Sequence, residues 1–188
     1  MAVMSDRTSL SLDGGPPGGP PEAPGGAPEW IRLEFIIQGQ EQTQWCWSAV
    51  AVSVAEFYEP GGWTQCQMVC DELEQSSCCE DGSTEECNQP WYLDQALERA
   101  GVFNGMEGVP PAGIAPIPSE ISSGHLFCAR IEWSGGGGHF VVIDGYTEDE
   151  TRLAIEDPWY GASDLTAETF RGAYQGNGSW THSYLTSP

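Results

Sequence analysis

Between residues 45 and 57 almost every side chain is apolar or small. Cys46, Ala49, Val50, Ser53, Val54 and Phe57 recur at the spacing of one helical face. The opposite face, with Trp47, Ala51, Val52 and Ala55, is apolar too, so the pattern predicts a helix buried on most sides. Upstream, residues 30–37 alternate and then turn apolar, which predicts an opening strand. Pro60, Gly61 and Gly62 end the central helix. Thr64 is placed to cap a second helix reaching about Glu74. Residues 76–89 read as an acidic, cysteine-containing loop, and residues 90–100 as a third helix stopped by Gly101. Residues 102–118 form a Pro/Gly-rich connection, and residues 119–123 a single helical turn.

The second half changes period. Strands are predicted over 126–133, 139–146, 151–156 and 179–185, with turns at 135–138 and 148–150 and a short capped helix over 166–174. Helices first and an antiparallel sheet afterwards define an α+β domain. Residues 1–28 differ from the rest: their Gly and Pro runs can hold neither helix nor ladder, so they read as a disordered tail before one folded domain over 29–188. The Gly-Gly pairs at 14–15, 18–19 and 25–26 resemble leader cleavage sites.

Composition narrows the function. A chain of 188 residues with 39% hydrophobic content can build one core. Its formal charge of -22 comes from 28 acidic and 6 basic residues, the latter all Arg. Such a surface repels phosphate backbones and anionic lipid, which disfavours nucleic acid and membranes as partners. The absence of Lys has no physical account. No stretch has the length of a membrane span, and the N-terminus lacks the basic-then-apolar pattern of a secretory signal.

Four residues suggest chemistry. Cys46 sits in the first turn of the central helix, where the positive end of the dipole favours a thiolate. His139 opens an apolar strand directly after four glycines, and Asp157 closes the next strand. If those strands pair as a hairpin, their outer ends bring His139 and Asp157 together. A cysteine nucleophile needs a base, the base needs an orienting group, and the tetrahedral intermediate needs donors aimed at its oxygen. Cys46, His139, Asp157 and Gln40 can fill these roles, with the Cys46 backbone N–H as second donor. Gln38, Gln42 and Gln44 compete with Gln40, and only spacing selects it. His125 and His182 lack matching companions and read as structural or surface residues.

Gln-x5-Cys-Trp, then His, then Asp-x-Trp, in that order, resembles the papain-like cysteine peptidases. More closely, Gln-x-Gln-Thr-x-Trp-Cys-Trp-Ser-Ala, Gly-His-Phe-Val-Val-Ile-x-Gly-Tyr and Asp-Pro-Trp resemble a bacterial branch of staphopain-like and plant-pathogen effector peptidases. The Cys78-Cys79 pair and Cys-Asn-x-Pro at 87–90 resemble that branch as well. The resemblance covers about 30–187. It implies a helical half, carrying the nucleophile helix, packed on an antiparallel sheet half. It implies Gln40 as oxyanion donor, Trp47 behind the nucleophile, and Trp159 shielding the His139–Asp157 hydrogen bond from water. Asp stands where papain has Asn.

The six other cysteines, Cys66, Cys70, Cys78, Cys79, Cys87 and Cys128, are an even set, and five crowd into 66–87. That density favours disulfides clasping the acidic loop onto the second helix, among 15 connectivities for six thiols. Adjacent Cys78 and Cys79 are expected to take different partners, and Cys128 fits plain strand core. A zinc site finds no CxxC and no nearby His. Disulfides imply an oxidising compartment, hence export without a classical signal; a cytoplasmic location is the alternative. The expected protein is a monomeric thiol endopeptidase without metal or cofactor, acting on protein or peptide substrates. The alternatives are an acyltransferase using the same triad and a non-catalytic, disulfide-stapled binding domain.

Overall fold

The computed structural model of the protein describes residues 28–110 and 112–188. Apart from Pro28, the expected tail over 1–28 lies outside the described residues. In chain order the elements are β1 (Trp30–Arg32), α1 (Cys46–Tyr58), α2 (Gln65–Glu72), α3 (Leu93–Arg99), β2 (Phe103–Gly108), α4 (Ile117–Ser122), β3 (Phe127–Trp133), β4 (Gly138–Thr147), β5 (Arg152–Glu156), β6 (Ser163–Thr166), α5 (Ala167–Gly172) and β7 (Gly178–Thr186).

The α+β expectation holds. One antiparallel sheet runs in the order β2-β7-β3-β4-β5-β6, with β1 added beside β4. Helix α1 is buried from Cys46 through Ala55. Val50, Val52 and Val54 are almost wholly covered, each contributing about 1.5–3 kcal/mol before the entropy of ordering is subtracted. Its core joins α2 and α3 to the Cys128, Phe140, Val142 and Tyr184 side of the sheet. The other side of the sheet closes a second core around Ile131, Val141, Ile143, Leu153 and Phe170. Sandwiched in this way, β4 is buried along its whole length after Gly138, which is why it reads as a nearly continuous apolar run.

Local chemistry sets the boundaries. Thr64 caps α2 through a reciprocal capping box with Gln67, and Thr166 caps α5. The β4–β5 hairpin forms as expected, with Val142 opposite Glu156 and Tyr146 opposite Leu153. Asp149 ties its turn by accepting from the hydroxyls of Thr147 and Thr151 at 2.7 and 2.8 Å.

Three expectations change. The opening strand stops at Arg32, because after Leu33 N–H bonds Asp144 O the chain leaves β4 and crosses to α1, where Gln38 N–H bonds Ser53 Oγ. Ile36 is left 88% exposed on that crossing. The close approach of β1 needs Gly145, whose Cβ would lie 2.8 Å from Ile31 O. The 102–118 connection contains strand β2, hidden by Asn104, Gly105 and Gly108 and, among the described residues, paired only to β7. Strand β6 is a second short edge, Ser-Asp-Leu-Thr, with too little apolar alternation to register as a strand.

Candidate active site

Helix α1 begins at Cys46, which is 8% exposed. As the first helical residue, its N–H belongs to the unpaired donors of the helix start. No acidic residue lies in that first turn.

Facing it, the second residue of β4, His139, is 6% exposed. Its Nε2 lies 2.8 Å from Asp157 Oδ1. A carboxylate only accepts, so Nε2 carries the hydrogen, and Nδ1 is left for Cys46, whose thiol is a hydrogen-bonding neighbour of the ring. Burial works against charge on this imidazole. The hydrogen bonds to Asp157 and Cys46 outweigh it and raise its pKa to about 9.

Asp157 is 1% exposed. Burial would raise its pKa, but the His139 ring and further donors hold it below the usual carboxylate range. Oδ1 also accepts the backbone N–H groups of Trp159 and Tyr160, at 2.7 and 2.9 Å. Oδ2 accepts the Tyr174 hydroxyl at 2.5 Å. Burial and the adjacent Asp157 charge push the Tyr174 pKa far up, so that hydroxyl stays a donor.

The rings around His139 differ from expectation. Trp133 stacks on it at 6.0 Å and 23°, and Tyr160 meets it edge-on at 6.1 Å. Trp159, expected as the shield, is 55% exposed on the cleft wall and serves Asp157 through its backbone N–H. Trp47 is fully buried, its indole N–H bonded to Gln89 O at 3.0 Å.

Gln40 lines the same cleft, of about 390 Å³, as Cys46 and His139. Its backbone N–H bonds Pro158 O at 2.9 Å. Its amide Nε2 donates to Gln42 O at 2.8 Å, and Oε1 is buried without a partner among the described residues. One amide hydrogen is thereby left over. Gln44 shares this cleft wall, so spacing still separates the two. A second cleft of about 670 Å³ also reaches Cys46 and is lined by Trp91, Tyr92, Met106, Phe140 and Tyr184. His182 reaches that cleft, whereas His125 pairs with Glu120 at 3.2 Å.

Four of the six further cysteines pair, as Cys66–Cys79 and Cys78–Cys87. The adjacent cysteines do take different partners. Cys70 and Cys128, grouped with them above, are free. Cys128 is fully buried in β3, where desolvation drives its pKa up. Cys70 lies half-buried on α2. Sequence reasoning missed Trp133, Tyr160 and Tyr174, because a residue reaching a site from a neighbouring strand or turn carries no spacing signal.

A family model described as papain-like cysteine protease AvrRpt2 matches residues 29–175. No curated protein matches the sequence. Among solved structures, the peptidase domain of Streptococcus ComA, a bifunctional ABC transporter of a quorum-sensing pathway, is similar at a TM-score of 0.51 and 15% identity, over 82% of this chain and 100% of that one. A double-glycine-motif protease from an AMS/PCAT transporter, in complex with its leader peptide, aligns at a TM-score of 0.46 and 20% identity, over 83% of this chain and 94% of that one. The ComA likeness is one of fold.

Proposed function

This chain belongs to the AvrRpt2 family of papain-like cysteine proteases, and from that premise we propose that Cys46, His139, Asp157 and Gln40 carry out its peptide-bond hydrolysis. The observation that carries the reading is the buried His139, set between the Cys46 thiol and a carboxylate that accepts from three further donors. When protonated, the imidazole carries its second hydrogen on Nδ1, the nitrogen facing the sulfur.

The thiolate of Cys46 attacks the scissile carbonyl carbon. The oxyanion accepts from the spare amide hydrogen of Gln40 and the free N–H at the start of α1. His139 gives its Nδ1 proton to the leaving amine, and a thioester remains on Cys46. His139 then takes a proton from water, whose oxygen attacks the thioester. The acid product leaves, and the proton returns to the sulfur–imidazole pair. Asp157 keeps the ring's orientation and tautomer throughout. No step requires a metal or a cofactor.

The substrate is a polypeptide lying across the two clefts that meet at Cys46. We take the enzyme to be a single peptidase domain over 29–188, acting as a monomer. Two disulfides favour work in an oxidising compartment, after export. Among the described residues no helix is long and apolar enough to cross a membrane.

The test is labelling and turnover together. Iodoacetamide is expected to modify Cys46 rapidly and Cys128 not at all, with His139→Ala slowing the reaction. Cys46→Ala is expected to abolish cleavage of a peptide library with the fold intact. Retained cleavage overturns the assignment. Transfer of the acyl group to an added amine in preference to water identifies an acyltransferase. An unreactive Cys46 in a folded chain identifies a non-catalytic domain.

A further inference from the structure

The turn leading into the nucleophile has no cap of its own, since Trp45 makes no side-chain cap bond at the start of α1. It is held from outside. Asn88 Oδ1 accepts the Gln44 N–H at 2.9 Å, and Asn88 Nδ2 donates to Thr43 Oγ1 at 2.9 Å. The neighbouring carbonyls of Cys87 and Gln89 accept the indole N–H groups of Trp45 and Trp47, at 2.9 and 3.0 Å. Every residue from Thr43 to Trp47 except Cys46 itself is therefore tied to the segment 87–89.

That segment lies in the stretch between α2 and α3, which has no helix or strand. Its backbone bonds are all local: Cys87 N–H and Asn88 N–H share the carbonyl of Thr84, and Gln89 N–H turns back on Cys87 O. The Cys78–Cys87 disulfide closes the loop, and Cys66–Cys79 fastens it to α2. Trp45 fills the space under it so closely that a Cβ on Gly82 would come within 2.5 Å of its ring.

We propose that Asn88 is a positioning residue for the oxyanion turn, held in register by the Cys78–Cys87 disulfide, so that opening this bond slackens the setting of the nucleophile. The idea rests on the peptidase reading above and adds redox control to it. The role suits asparagine, because the position needs an acceptor for Gln44 and a donor for Thr43 on one short side chain. Aspartate lacks the donor. The redox step is thiol–disulfide exchange with a dithiol reductant. One thiolate of the reductant forms a mixed disulfide and releases the first cysteine. Its second thiol displaces the other cysteine, and it departs as its own disulfide. Two electrons reach the protein, and Cys78 and Cys87 become thiols. Cys46 takes no part in the exchange and keeps its sulfur reduced throughout.

The test compares wild type, Asn88→Ala, Asn88→Asp and the double variant Cys78→Ser/Cys87→Ser. Peptide hydrolysis and amide hydrogen exchange over 43–46 are measured on each, well below its Tm. Asn88→Ala is expected to lower kcat about tenfold with KM within about twofold, short of the hundredfold or more lost when an oxyanion donor is removed outright. The 43–46 amides exchange faster in the same variant. The disulfide-free protein shows the same pattern. Adding Asn88→Ala to it lowers kcat little further, because both changes act through one link. Wild-type kcat and exchange in Asn88→Ala overturn the proposal, and fully additive losses overturn the coupling to the disulfide. If the disulfide-free protein does not fold, Asn88→Ala in the oxidised protein still decides the positioning role. A wild type that cleaves no peptide refutes the peptidase reading instead, and the exchange data then decide the Asn88 clamp alone.

Discussion

Replacing Tyr174 with Phe removes one oxygen and keeps the ring. Tyr174 is fully buried, between Trp133 at 6.3 Å and Phe170 at 5.6 Å, and phenylalanine preserves both contacts. Among the described residues the Tyr174 hydroxyl is the only donor to Asp157 Oδ2, the other three serving Oδ1. The substitution therefore leaves one oxygen of a buried carboxylate unpaired. A hydrogen bond to a charged group contributes about 1.5–3 kcal/mol net, so the loss is about 2 kcal/mol. At about 2–4 °C per kcal/mol for a domain of this size, Tm falls by about 4–8 °C at pH 7. The pH dependence gives a second handle. Asp157 is held below the usual carboxylate range, so its contribution is present above the unfolded pKa, near 4, and is lost as pH falls through the folded value. Tyr174→Phe brings the folded value up, and its deficit shrinks once the carboxyl is protonated. Calorimetric unfolding of both proteins from pH 7 to pH 3 reads this directly. Equal Tm values at pH 7, or a deficit that persists unchanged in acid, refute the reasoning.

His139 is held protonated to about pH 9, so the stability of its charged pair is complete below the unfolded value, near 6.5, and is lost as pH rises through about 9. A pH profile of kcat/KM is expected to fall along the same limb, and a fall centred near pH 6.5 contradicts the pairing. Asp144 is buried, its Oδ1 has no partner among the described residues, and burial pushes its pKa up to about 7 although Arg32 lies 3.8 Å away. A folded value above the unfolded one means that stability falls as pH rises from about 4 to 7. Asp144→Asn is expected to recover of order 2–4 kcal/mol at pH 8 and little at pH 4, seen in urea unfolding at the two pH values. Gly82→Ala forces a Cβ into the Trp45 ring and against Cys78 O, at 2.5 and 3.2 Å, and is expected to cost about 1–3 kcal/mol by overpacking, together with a fall in kcat.

What could be read from the sequence follows from how locally each feature is determined. Helix α1 was legible because a helix buried on most sides must be apolar all round, and thirteen residues suffice to show it. The β4–β5 hairpin was legible because one strand is a buried apolar run and its partner begins a few residues later. Strands β2 and β6 were not, because each pairs along one edge and buries little, so no alternation is imposed on it. The cysteines divided the same way. Crowding marked the acidic loop as disulfide-bonded, but only the fold separates Cys70, half-buried on α2, from Cys66 one helical turn before it. Tyr174 was hidden because it reaches Asp157 from the turn after α5, a placement set by the docking of a whole helix.

One dipeptide links the roles proposed for His139 and Gln40. The Asp157 side chain orients the imidazole, while the next carbonyl, Pro158 O, accepts the Gln40 N–H at 2.9 Å. Gln40 belongs to the helical half and Pro158 to the sheet half, so this bond joins the two halves at the cleft. Proline restricts its own backbone and that of the residue before it. The restriction narrows the conformations open to this dipeptide, which bonds both His139 and Gln40. The amide of Gln40 is the freer part, with Nε2 on Gln42 O and Oε1 unpartnered among the described residues. In the proposed role, a substrate oxygen beside Nε2 would supply an acceptor for the spare hydrogen. On the role proposed for Gln40, the cost of placing its amide is met largely in folding, at the contact between the halves, and little of it is left for the moment of reaction.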